Sequence, residues 1–86
     1  MKNLTTKGIA RYIRDNHGEL RHDPRSMKVA SQKTARKYKF NTLDVFLFMI
    51  EDRPLLGTHS YGFHTRYGRS IRETFEGEYY MACLEQ

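Results

Sequence analysis

The sequence predicts an α+β fold, with three N-terminal helices, a β-hairpin and a short C-terminal helix or strand. Three observations predict it. Helix-start signals precede three stretches whose apolar residues recur at helical steps or run together. A segment punctuated by Gly57, Gly62 and Gly68 follows, which is the composition of a turned hairpin. The chain has 86 residues and 38% hydrophobic content, enough for a single domain over residues 1–86 with one thin core.

The first helix is expected over about 6–17. Thr5 or Thr6 can cap its first amides. Ile9, Tyr12, Ile13 and Leu20 fall near one face, with Lys7, Arg11 and Arg14 outside it. Asn16-His17-Gly18 gives the stop, because glycine can take the left-handed conformation past a helix end.

The second helix is expected over about 24–38. Asp23 suits the N-cap and Pro24 tolerates the first helical position. Met27, Ala30, Thr34 and Tyr38 recur on one side together with Ser31 and Ala35, a seam of small residues. Lys28, Gln32, Lys33, Arg36, Lys37 and Lys39 occupy the remaining surface.

Asn41-Thr42-Leu43-Asp44 opens the third element. Asn41 suits the N-cap, and Asp44 sets a carboxylate in the positive first turn. The run from Val45 to Ile50 is apolar on every side, so it reads as a buried helix, with a buried strand as the alternative. Glu51-Asp52-Arg53-Pro54 ends it, since the residue before proline leaves the helical region.

Beyond this point, Tyr61-Gly62 is the candidate turn of a hairpin spanning residues 55–67. Phe63, Thr65 and Tyr67 would lie on one face of its returning strand. Ser70-Ile71-Arg72-Glu73 matches a capping box and starts a short helix over about 71–76. Gly77 interrupts it, and residues 78–84 read as either a last strand or more helix.

The charge is lopsided. Residues 1–40 carry eleven Lys/Arg and three acids, whereas residues 41–86 carry four Arg and seven acids. A basic half of this kind favours a polyanionic partner. Cys83 is the only cysteine, which points to a reducing compartment rather than a disulfide-stabilised secreted domain. The start lacks an apolar signal core, and the longest apolar run is six residues. The expectation is therefore a soluble, cytoplasmic protein, prokaryotic or from a phage-infected cell, with no membrane partner.

The stretch from Ala35 to Phe48 resembles the helix-turn-helix pattern, and three helices followed by a hairpin resemble winged-helix DNA-binding proteins. Ala35 stands where that family puts a small residue. Tyr38 and Phe40 take the apolar positions around the turn, and Val45 and Phe48 the buried positions of the second helix. The resemblance covers about 20 residues and implies a DNA-binding function, possible as a transcriptional or mobile-element regulator. Lys39 departs from the glycine common in the turn. A second departure concerns the positions that would face base edges, Asn41, Thr42, Leu43, Phe46 and Leu47. Base reading needs polar side chains there, and Phe46 and Leu47 are each worth roughly 1.5–3 kcal/mol when buried. The third helix thus reads as core, with cations on the first two helices meeting phosphate.

The expected function is non-enzymatic nucleic-acid binding, DNA or RNA, with weak sequence selectivity because phosphate contacts position without specifying. Lys28, Lys33, Arg36, Lys37 and Lys39 would carry it, aided by Arg11 and Arg14, with Arg66 and Arg69 on the hairpin side reaching an adjacent groove. No cofactor and no metal is expected. The pairs His17/His22 and His59/His64 are each five residues apart, a step that does not converge on a metal along a helix.

Two alternatives compete. Small, basic, single-cysteine domains are common among phage products, many of which bind a host nucleic-acid-processing enzyme to inhibit or adapt it. Here Glu73, Glu76, Glu78, Tyr79 and Tyr80 would form the docking surface. The other alternative is a metal-independent toxin-type ribonuclease. His59 and His64 would move protons and Arg66 would hold the phosphate beside Tyr67.

Overall fold

The computed structural model describes residues 4–18, 21–53, 55 and 66–85, and four helices account for most of them. They are α1 (Thr6–His17), α2 (Pro24–Tyr38), α3 (Thr42–Glu51) and α4 (Arg66–Leu84). There is no strand among the described residues.

The first three helices begin where the capping residues place them. The Thr5 hydroxyl accepts the Gly8 amide at 3.0 Å. The Asp23 carboxylate accepts the Arg25 amide at 3.1 Å and the Ser26 hydroxyl at 2.8 Å, with Pro24 in the first turn. Asn41 Oδ1 accepts the amides of Leu43 and Asp44 at 2.9 and 3.3 Å. Each side chain satisfies donors that a helix start would otherwise leave unpaired.

The ends are equally local. Gly18 takes φ +61° after α1. Lys39 after α2 and Asp52 after α3 are left-handed, with φ +61° and +55°. At Lys39 the turn closes fully, because the Phe40 amide donates back to the Ala35 carbonyl at 2.9 Å. This is the Schellman arrangement, in which the left-handed position is usually glycine.

The C-terminal third corrects the α+β expectation. Residues 66–84 form one continuous helix in place of a short helix over 71–76 interrupted at Gly77, and of the two readings of residues 78–84 the helix holds and the strand does not. The physical reason is burial on both sides of the glycine. Ile71, Phe75 and Ala82 are buried and Tyr79 packs against the core. Burying Ile71 and Phe75 is worth roughly 1.5–3 kcal/mol each. A helical glycine costs only about 1 kcal/mol relative to alanine. Arg66 and Tyr67, expected on the returning strand and on a wing, stand in the first turn of α4. The candidate turn Tyr61-Gly62 lies outside the described residues. The described end of the expected wing strand, residues 66 and 67, is therefore helical, and the strand alternative for residues 45–50 falls to α3.

α2 is the central helix and packs on all three others, most extensively on α4. Its seam is small and completely covered: Ser26, Ala30, Ser31 and Thr34 have no exposed surface. Short side chains let α4 lie close, running antiparallel to α2. The Tyr38 hydroxyl donates to the Ser70 carbonyl (3.2 Å) and meets the Thr74 hydroxyl (3.0 Å) near one end of α4. Near the other end, the Asp23 amide donates to the Tyr79 hydroxyl at 3.0 Å. Val45, Phe46 and Phe48 of α3 fill the middle of the core. Arg72 of α4 lies over the Phe48 ring at 4.8 Å and pairs with Asp52, fastening α4 to the end of α3.

Candidate nucleic-acid interface

α3 does not present a reading face. Phe46, at a position that would contact bases in a recognition helix, is buried, and its ring meets Tyr12 of α1 edge-on at 5.6 Å. Leu43 and Leu47 pack against the core. The cations lie on α1 and α2 instead.

On α2, Arg25, Lys28, Gln32 and Arg36 are spaced by three, four and four residues, and Lys39 follows them in the left-handed cap of the helix. On a 3.6-residue helix this spacing makes one continuous stripe. All but Lys28 are exposed, and Lys28 is half-buried. Among the described residues no acid pairs with the four cations of this ridge. The helical part of the ridge, from Arg25 to Arg36, is about 16 Å long at 1.5 Å rise per residue.

On α1, Lys7, Arg11 and Arg14 form a shorter exposed stripe opposite the buried Ile9 and Ile13. With Ala10 they surround a shallow depression of about 300 Å³. Arg14 also pairs with Asp15 at 3.3 Å, with both side chains largely exposed, so the pair is weak and leaves the guanidinium available.

The remaining expected residues separate into distinct settings. Lys33 forms an ion pair with Glu78 of α4 at 3.5 Å, so it bridges the two central helices. Lys37 is exposed with its ammonium 5.5 Å from the Tyr38 ring centre, an arrangement that offers cation–π attraction. Arg69 is exposed in the N-terminal part of α4, beside the Ser70 carbonyl that receives Tyr38. The structure thus brings Arg69 to the same end of the molecule as Lys37 and Lys39. Arg66 and Tyr67 open α4. His59 and His64 of the ribonuclease alternative lie outside the described residues.

The basic end of α2 also serves the helix itself. Arg36 and Lys37 in its last turn face the negative end of the helix dipole, a favourable placement worth about 0.3–1 kcal/mol.

Sequence reasoning missed Arg25, whose place on the stripe was legible from its spacing to Lys28 alone. It also missed the Lys33–Glu78 pair, which joins residues far apart in sequence and carries no local signal. A third feature is a titratable cluster at the junction of α1 with α3. Tyr12 and His17 have ring centres 6.0 Å apart. Burial first, and then the Glu51 carboxylate, push the Tyr12 phenol up to about 12. The same Tyr12 hydroxyl holds the Glu51 carboxyl below its usual range, with help from Arg53 at 2.7 Å. His22 is held below the usual imidazole range by burial and then by His17. Among the described residues no group of His, Cys, Asp and Glu converges as a metal site, and no helix is long and apolar enough to cross a membrane.

Comparison of the chain with protein-family models, curated proteins and solved structures finds no match.

Proposed function

We propose that the protein binds nucleic acid through its phosphate backbone, without catalysis and with weak sequence selectivity. One observation carries this reading: the ridge of Arg25, Lys28 and Arg36 on α2 with Lys39 at its cap, with no acid paired to it among the described residues. The Lys7, Arg11 and Arg14 stripe on α1 supports it, as do Lys37 and Arg69 at the end of the ridge. Three cations along about 16 Å of α2, with Lys39 at its cap, can each meet a phosphate of a nucleic-acid backbone, which carries one phosphate per 3.4 Å of duplex axis on each strand. The buried faces of α3 argue against base reading, because the side chains that could donate hydrogen bonds to base edges are replaced there by Phe46 and Leu47.

The test is neutralisation of the ridge. Lys28→Gln, Arg36→Gln and Lys39→Gln together should weaken binding to duplexes of unrelated sequence by the same factor. Lys33→Gln alone should change binding less than Arg36→Gln, because Lys33 is already engaged by Glu78. Strong selectivity for one sequence that survives the triple substitution would overturn the reading.

A further inference from the structure

The outer face of α4 has a character unlike the rest of the molecule. Gly77, Tyr80, Met81 and Leu84 are spaced by three, one and three residues, so they share one side of the helix. Tyr80, Met81 and Leu84 are 63%, 52% and 61% exposed, and among the described residues they are the large apolar ones left open to solvent. Single exposed apolar residues are ordinary, whereas a contiguous set marks a contact surface.

Gly77 adds an independent observation. It is exposed in mid-helix, and a Cβ built on it would meet nothing within 4 Å. Its φ is not in the left-handed region. Nothing in the described fold needs a glycine there, yet glycine weakens the helix. A missing side chain at the N-terminal end of the apolar stripe lets another helix approach closely there, since small residues let two backbones draw together.

The charge around the stripe selects the visitor. From Glu73 to Gln86 the chain has four Glu and no Lys or Arg. Glu78 is engaged by Lys33, while Glu73 and Glu76 are exposed beside the stripe. We infer that this face docks a basic amphipathic helix of another protein, whose apolar side covers Tyr80, Met81 and Leu84 while its Lys or Arg residues flank Glu73 and Glu76.

Other occupants fit less well. A second copy packed parallel about a two-fold axis would bring Glu73 and Glu76 against their own equivalents, and an antiparallel copy would set them against the apolar Met81 and Leu84, so neither supplies a cation. The basic ridge of a second copy offers Arg25, Lys28, Gln32, Arg36 and Lys39, with no apolar side chain for Tyr80 or Leu84. Nucleic acid and anionic lipid are repelled by the glutamates. The inference does not rest on nucleic-acid binding. Together, the two surfaces would make the protein an adaptor that holds a basic protein on one pole and a polyanion on the other.

The experiment uses the whole chain and two labelled synthetic peptides of about 18 residues, equal in Leu, Lys and Ala content. One has leucine at helical three- and four-residue spacing, and the other has the same residues scrambled. Anisotropy at about 0.15 M salt should show the amphipathic peptide binding at least about tenfold tighter than the scrambled one. Tyr80→Ser with Leu84→Ser, Glu73→Gln with Glu76→Gln, and Gly77→Leu should each abolish that preference. Tyr80→Ser with Leu84→Ser and Gly77→Leu, which change no charge, should keep wild-type affinity for duplex DNA, or its absence, so a failure of the nucleic-acid reading stays distinguishable. Gly77→Leu should also melt at or above the wild-type temperature, separating lost docking from lost folding. Equal binding of the two peptides would overturn the inference, as would a preference that survives all three variants. A dimer in sedimentation that Tyr80→Ser with Leu84→Ser dissolves would overturn it in favour of a second copy.

Discussion

Lys39 sits where stability and the proposed function pull in opposite directions, and two substitutions there separate them. Its φ of +61° and ψ of +44° are left-handed, and the turn it forms is closed by the Phe40 and Lys39 amides on the Ala35 carbonyl. A left-handed L-residue costs about 1–2 kcal/mol. Glycine avoids that cost but loses about 0.5–1 kcal/mol through greater freedom in the unfolded chain. Lys39→Ala removes the charge and keeps the strain, whereas Lys39→Gly removes both. Their difference isolates the backbone, and glycine should be the more stable by about 1 kcal/mol. For a domain of this size that corresponds to a melting temperature higher by about 4–8 °C. On the binding side the two should be alike. Each loses one phosphate contact, so the log–log salt slope on duplex DNA should flatten by about 0.9. At about 0.1 M salt the same term corresponds to roughly eightfold weaker binding. Thermal melts and anisotropy titrations on the two variants and the wild type provide the assay. Equal stability of the glycine and alanine variants would refute the backbone argument. Unchanged salt slopes in both would refute the assignment of Lys39 to phosphate.

Three further outcomes are expected. His22 is depressed below the ordinary imidazole value of 6.5 by burial and by His17, so the unfolded chain takes up its proton first as pH falls. The stability it contributes is complete above pH 6.5 and is lost on acidification below that value; urea midpoints of His22→Gln should fall less than those of the wild type between about pH 8 and 5.5. Tyr12, raised to about 12 from 10.0, keeps its proton longer in the folded state, so wild-type stability should drop as pH rises from 10 towards 12, and Tyr12→Phe should lack that drop. Gly77→Ala adds a Cβ that meets nothing within 4 Å, and denaturant titration should show about 0.5–1 kcal/mol of added stability; a loss would mean that the glycine is needed by the fold itself.

Much of the N-terminal architecture was legible because its signals are local. Thr5, Asp23-Pro24 and Asn41 each accept amides within three residues, and Gly18 ends α1 at a positive φ, so α1 and α2 begin and end where sequence places them. The core role of α3 was legible from Phe46 and Leu47, which are too apolar to read bases. The C-terminal third was misread because Gly68 and Gly77 look like punctuation, while the force that overrides them comes from elsewhere. Ile71, Phe75 and Tyr79 gain their burial from α2 and α3, and no window of local sequence contains those partners. The same limit hid the Lys33–Glu78 pair. It also kept the acidic segment from being seen as one side of a helix, where Gly77 and three exposed apolar residues align.

The most direct test of the central claim is a salt series on the wild-type chain with one duplex DNA, one single-stranded DNA and one structured RNA. The account predicts binding that weakens linearly on log–log axes, with a slope on duplex of about −3 to −4 if the four ridge cations each neutralise one phosphate. No binding to any of the three at low salt would contradict it and leave the ridge as a solvated surface.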